Sequence, residues 1–448
     1  MTEDPRTRFI EASFWHGSLE RADAILAAHP EIASSDIHTA AILGDDAAVR
    51  RFLEADPATA TAKSGPRGVD ALTHLCFSIY LQRDPARSNA FVRAATALLD
   101  AGASASTGFW EHDHEPESEW ESALYGAAGV AHHAEMTRLL LDRGADPNDG
   151  ETPYHAPETY DNGALKILVQ SGKLTDDSLA TMLLRKADWH DAEGVKWLLE
   201  RGADPNRMTG WGFTALHQAV RRDNNREIIE GLLDRGADPT LRARDGESAI
   251  AMAARRGRGD LLALVERRGI PIELKGVLQL IAACARDDEA RVRSMAGGEP
   301  QLVSEVVAQG GKLLAEFAGN WNTDGVRHLL DLGVPVTALY DGDGYFDIAK
   351  DSTALHVAAW KSLPATVKFL IERGSPVNAK DAKGRTPLML AVKACVDSYW
   401  TYRRTPESVD ALLKAGASID GVPYPCGYDE VDRLLSDKQG SSPVDATN

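Results

Sequence analysis

Aromatic residues are scarce in this chain, 6% of 448 residues, and no stretch strings together the roughly 18 apolar side chains that a bilayer-spanning helix requires. The first shortage disfavours a β-sandwich and suits small, Ala- and Leu-rich helix packing; the second removes membrane-crossing helices from consideration. Cysteine is nearly missing too. Cys76, Cys284, Cys395 and Cys426 stand far apart with no CxxC pair, so neither a zinc knuckle nor a redox motif is written, and reduced thiols in a cytoplasmic protein are expected. The opening Met1-Thr2-Glu3-Asp4-Pro5-Arg6 has no basic head leading into an apolar run, so no export signal is expected. Positive charge is in deficit, 49 Lys and Arg against 67 Asp and Glu, and the resulting −18 repels polyanions, which makes nucleic acid and acidic membrane surfaces poor partners.

Signatures of catalysis are also lacking. There is no HExxH, no GxSxG and no GxGxxG between a strand and a helix, and Gly310-Gly311-Lys312 lacks the preceding glycine of a phosphate loop. Asp341-Gly342-Asp343-Gly344-Tyr345-Phe346-Asp347 fails as a calcium loop, because Phe346 stands at its sixth position and Ser352 at its twelfth; it reads as a turn-rich insertion. No nucleophile, base and oxyanion donor can be assembled, so a non-enzyme without a cofactor is expected.

What is present is self-similarity. Leu198-Leu199-Glu200-Arg201-Gly202-Ala203-Asp204-Pro205-Asn206 returns 34 residues later as Leu232-Leu233-Asp234-Arg235-Gly236-Ala237-Asp238-Pro239-Thr240. A unit of that length cannot bury its own apolar face, so neighbours must stack. Between the two copies lies a pair of helices: Thr214 caps the first, with Leu216, Ala219 and Val220 on its inner side, and Ile228, Ile229, Leu232 and Leu233 stripe the second. Gly236 closes it and Pro239 stops its continuation.

These residues resemble the ankyrin repeat, whose pattern opens with Thr-Pro-Leu-His and closes with Gly-Ala-Asp and Asn. Thr353-Ala354-Leu355-His356 and Thr386-Pro387-Leu388 carry the opening, and Gly144 to Asn148 and Gly202 to Asn206 the close. The resemblance implies an all-α ankyrin-repeat solenoid of stacked helix-turn-helix units with several insertions, and a role in binding proteins. About twelve repeats are expected, at 8–35, 36–66, 69–107, 118–150, 152–175, 176–208, 211–242, 245–273, 274–303, 309–337, 348–379 and 384–420, with a closing helix at 428–435 and a polar tail at 436–448. His217 and His356 belong to the signature, where the family uses the imidazole for hydrogen bonds between repeats.

Two groups of residues are candidates for partner contact, and a monomer that binds proteins is the expectation. One is the insertion around Trp110 and Trp120, where acids occupy every second position from Glu111 to Glu121. A solvated acidic loop is the plain alternative, but two tryptophans are uncommon on an idle loop. The other follows from the resemblance, which places Trp189, Arg221, Arg222, Arg255, Arg256, Arg286, Trp360 and Lys361 near the ends of first helices, on the family's concave face. These arginines could equally be tied up in ion pairs with neighbours such as Asp223 or Asp260. A competing reading puts a metal- or small-molecule-dependent activity on His112, His114, His155 and His190, with His132 and His133 nearby, although no spacing there is diagnostic of a metal.

Overall fold

The computed structural model describes residues 4–113, 117–398 and 401–440. The chain is mostly helical and divides into two compact bodies, residues 1–246 and 247–448. No helix among the described residues is long and apolar enough to cross a membrane.

The repeat at 211–242 shows how the local sequence makes the fold. Thr214 caps the helix Ala215–Arg221, and the His217 ring closes the box through Nδ1 to the Thr214 hydroxyl at 2.7 Å. Its Nε2 reaches the Leu241 carbonyl at 3.0 Å, so the signature imidazole ties the helix to the loop that follows. Asn225 then caps Arg226–Asp234, taking the Ile228 N–H at 3.1 Å. Leu216, Ala219, Val220, Ile228, Ile229 and Leu232 are all buried, and each of the larger ones contributes about 1.5–3 kcal/mol by leaving water. Gly236 takes φ +85°, a conformation a side chain would resist, and lets the Ala237 N–H turn back to the Leu232 carbonyl at 3.0 Å.

Helix pairs of this kind recur through the first body as Ile37–Ile42 with Asp46–Ala55, Glu151–His155 with Gly163–Gln170, and Asp176–Asp188 with Ala192–Glu200. In the second body they include Ala249–Arg255 with Gly259–Arg267, Val277–Ala285 with Glu289–Gly298, Gly310–Gly319 with Thr323–Asp331, Ala354–Trp360 with Pro364–Glu372, and Pro387–Asp397 with Glu407–Lys414. A helix at Asp429–Gly440 follows; of the polar tail expected at 436–448, residues 441–448 lie outside the described residues.

The turn between the two helices of a repeat needs a left-handed residue, and here it is rarely glycine. His190, Asp223, Asp287, Trp321 and Ser362 take φ between +52° and +58°. Such a conformation costs an ordinary residue roughly 1–2 kcal/mol, so something must hold it. At His190, Asp287, Trp321 and Ser362 the side chain helps: His190 Nδ1 meets the Asn224 amide at 3.3 Å, Asp287 accepts from Arg327 and His328, each at 2.8 Å, Arg403 stacks 3.6 Å from the Trp321 ring centroid, and the Ser362 hydroxyl donates to the Arg403 carbonyl at 2.8 Å.

Two insertions depart from pure helix. In the first body, Gly108–Glu111 (β1) and Glu119–Ser122 (β2) pair antiparallel with Trp110 opposite Trp120. The helical expectation did not include this hairpin, whose period-2 alternation turns Trp110 and Trp120 to one face and Phe109, with Glu111, Glu119 and Glu121, to the other. Phe109 is buried against Phe14 and Phe77, and Arg67 holds the hairpin's edge, 2.5 Å from Glu111 and 5.2 Å from the Phe109 ring centroid. In the second body, residues 340–352 fold over through bridges from Tyr340 to Ser352 and from Asp343 to Ile348. Phe346, 1% exposed, plugs this loop into a core with Ala315, Val357, Trp360 and Leu390.

Candidate partner-binding surface

The residues expected at first-helix ends do occupy equivalent places. Trp189, Arg222, Arg256, Arg286 and Lys361 are each the C-cap of the first helix in their repeat, and Arg221, Arg255 and Trp360 stand one position earlier. What differs among them is what surrounds the cap.

In the first body Trp189 is half-buried and its ring lies 6.1 Å from that of Tyr160. Arg221 rests 4.4 Å from the Phe213 ring centroid, and Arg222 donates to Asp188 at 2.6 Å. Asp188 also receives Gln218 and Arg185, and Arg185 continues to Glu158, so one chain of charges joins three successive repeats. His155 completes it, with Nδ1 2.8 Å from Glu158 and Nε2 3.1 Å from Glu151. Burial alone would depress that imidazole's pKa, but the two carboxylate hydrogen bonds outweigh it and raise it to about 9. Below the same network Arg185 lies 4.0 Å over the Tyr154 ring.

In the second body Arg255 pairs with Glu247 at 2.7 Å and reaches Gln309 at 2.8 Å, Arg256 pairs with Glu316 at 3.1 Å, and Arg286 with Glu266. Ion pairing is therefore what these arginines do, and Asp260 takes Arg258 in the same way, at 2.9 Å. Trp360 and Lys361 are buried, 4% and 2% exposed. The Trp360 Nε1–H donates to the Phe346 carbonyl at 2.6 Å and the Lys361 ammonium sits 4.0 Å over the Phe346 ring, so the inserted loop covers both. Equivalence of position does not carry equivalence of exposure.

The β1–β2 hairpin presents its tryptophans outward. Trp110 is 54% exposed and Trp120 half-buried, with ring centroids 5.4 Å apart and edge to face. The opposite face of β2 carries Glu119 and Glu121. Glu121 is 3% exposed, its Oε2 buried with no hydrogen-bond partner, and burial together with repulsion from Glu151 and Glu119 pushes its carboxyl up to about 8. Beside it lies a cleft of about 650 Å³ lined by Glu119, Glu151, Tyr154, Asp177 and Trp211. Sequence reasoning missed Glu121, Glu151, Tyr154 and Trp211 as a group; the legible signal was an exposed tryptophan, Trp211, in the turn ahead of a first helix.

The histidines are dispersed. His112 Nδ1 is 3.0 Å from the Ser118 hydroxyl, His133 Nε2 2.7 Å from Ser88, and His190 faces Asn224, while His114 lies outside the described residues. His132 takes φ +48° at a turn. Among the described residues no three or more His, Cys, Asp or Glu converge as metal ligands.

Comparison with known proteins places this geometry. Residues 191–253 match a family model described as ankyrin repeats in many copies, and residues 313–421 one described as three copies of the ankyrin repeat. Human rabankyrin-5 is 38% identical over 69 residues, which is 15% of this chain and 6% of that protein. The human transient receptor potential cation channel subfamily A member 1 is 23% identical over 316 residues, 68% of this chain and 25% of that protein. The chain thus spans a small part of the curated relatives it matches. The crystal structure of the human ASB11 ankyrin repeat domain aligns at 22% identity and a TM-score of 0.25, covering 59% of this chain and 98% of that one.

Proposed function

Because the chain is an ankyrin-repeat protein, a kind of module that generally works by binding proteins, we propose that it is a non-catalytic, monomeric recognition scaffold of the cytoplasm whose partner is another protein. The observation that carries this reading is the β1–β2 hairpin. It spends an insertion on holding Trp110 54% exposed beside Trp120, where large rings gain nothing from folding and much from burial against a partner. Trp189, Arg221 and Arg222 in the first body belong to the same proposal, as do the half-buried Arg255, Arg256 and Arg286 in the second; Trp360 and Lys361 support the core beneath such a surface instead. Three of the four thiols are buried and none is paired, which suits a reducing compartment.

Crosslinking and mass spectrometry from native lysate, comparing the wild type with Trp110→Ser/Trp120→Ser, tests it. The variant is expected to keep its helical spectrum and lose at least one specific partner. If the wild type captures no partner above background, or the variant keeps every partner at unchanged affinity, the hairpin is not a recognition element.

A further inference from the structure

We propose that the cavity between the helix Pro5–Ser13 and the loop 64–69 is a socket for a tyrosine side chain of the partner; the inference rests on the protein-recognition reading above and adds a residue that the partner must supply. The cavity holds about 410 Å³, inside the 300–1,000 Å³ typical of ligand pockets. Ile10, Phe14, Trp15, His16, Arg67 and His74 are among its walls. Trp15 and His16 stack with ring centroids 4.4 Å apart, and Phe14 meets His74 edge to face at 5.6 Å, so the lining offers an entering ring both faces and edges.

A buried polar group in this lining is left over. His74 is 1% exposed; its Nδ1 is hydrogen-bonded to His38 at 3.2 Å, while its Nε2 meets no hydrogen-bond partner among the described residues. The signature imidazoles behave otherwise, since His217 and His356 each spend Nδ1 on the cap and Nε2 on a loop carbonyl. Access to the His74 nitrogen depends on residue 65 being glycine. A Cβ there would stand 3.2 Å from Nε2 and 3.4 Å from Ile10 Cγ2, and Gly65 at φ +78° has none.

The chemistry of the guest follows from these walls. Burial and the facing His38 keep the His74 ring neutral, so it offers a hydrogen bond and no charge. Arg67 is paired with Glu111, and the exposed lining otherwise sets one acid, Glu11, against one base, Arg21. An ion would give up its hydration here without a net countercharge, which disfavours carboxylates, phosphates and ammonium groups alike. A hydroxyl both donates and accepts, and so satisfies Nε2 whichever of the two histidines carries the shared proton. Serine and threonine bring no ring to the aromatic walls; tyrosine brings ring and hydroxyl together.

Fluorescence anisotropy on the intact chain tests the inference with two labelled nonapeptide pools, centred on Tyr or Phe between the same degenerate flanks. The Tyr pool is expected to bind at least tenfold tighter, because phenylalanine fills the cavity but leaves Nε2 buried and unpaired. Gly65→Ala should weaken the Tyr pool at least fivefold by covering Nε2. Gly68→Ala is its control: Gly68 takes φ +60° in the same loop with nothing within 4 Å of its Cβ position, so the variant imposes the same backbone strain and is expected to leave binding unchanged. In nitrogen NMR of histidine-labelled protein, the His74 Nε2 resonance should move with N-acetyl-tyrosine amide and stay with N-acetyl-phenylalanine amide. Equal binding of the two pools overturns the inference, as does an unmoved His74 resonance or an equal loss from both glycine variants. If any of these occurs while the hairpin still captures its partner from lysate, recognition stands and only the tyrosine socket falls; if that capture fails as well, both readings fall.

Discussion

His38 and His74, in successive repeats of the first body, share one hydrogen bond between their Nδ1 atoms at 3.2 Å, both rings buried. One Nδ1 must carry the proton and the other the lone pair, so the pair is built for neutral imidazoles. Burial, aided by the facing His38, pushes His74 down to about 3, and burial lowers His38 as well despite nearby Asp36 and Asp70. A base whose native pKa lies below its unfolded value stabilises the fold above the unfolded value and loses that contribution as pH falls. The interval here runs from about pH 6.5 down to 3, and His74 alone is worth about 2 kcal/mol between pH 6.5 and 5. Urea melts at pH 7.5, 6 and 5 should show the wild type losing stability faster than His74→Gln; parallel losses would mean that the pair does not govern acid sensitivity.

Glu121 makes the opposite prediction at alkaline pH. In the unfolded chain its carboxyl ionises near 4.5 and in the native state near 8, so the fold keeps a proton that the unfolded chain releases, and stability declines as pH rises across that interval. His155, lifted from 6.5 to about 9, acts with the same sign between those values. Glu121→Gln mimics the protonated form and should stabilise the protein by on the order of 2 kcal/mol at pH 8, and by much less at pH 5. Thermal melts of both proteins across this range check it; a constant offset between them would rule out titration of Glu121 as the cause.

Leu216 tests the stacking. It is 1% exposed between the helices of its repeat, and Leu216→Ala should cost about 2–5 kcal/mol in urea denaturation. A loss below about 1 kcal/mol would mean that the site collapses around the cavity, which close-packed helix pairs resist.

The thiols report local opening. Burial raises Cys284 to about 12 and Cys395 to about 11, and raises Cys76 further, whereas Cys426 is only half-buried. Alkylation of the native protein at pH 8 should modify Cys426 first, with the other three reacting at least a hundredfold more slowly until denaturant is added. Peptide mapping by mass spectrometry reads the order, and early labelling of Cys76 would place an opening in the first body.

How much of this was legible follows from the range of the interactions. Thr214, His217, Leu216 and Gly236 act within one repeat and its neighbour, so their spacing in the sequence announced the helix pair directly. The hairpin was misread because its acids suggested a solvated run, although the same alternation is the mark of a strand; Phe109 is the residue that decides the matter, and its partners Phe14 and Phe77 lie far away in sequence. Trp360 and Lys361 show the limit more sharply. Their helix position was legible, but whether they meet water depends on Phe346 folding back from an insertion, and nothing near residue 360 encodes that.

The left-handed turns at His190, Asp287, Trp321 and Ser362 make these repeats non-interchangeable. Each such side chain is matched to a particular residue of a later repeat: Asn224, the Arg327 and His328 pair, or Arg403. Shuffling two repeats, or replacing one with an averaged family sequence, would relax the backbone at the turn while orphaning the residue that waited for it. The order of the repeats is thereby written into the molecule like wards in a lock, and drift at one turn is constrained by a position tens of residues downstream.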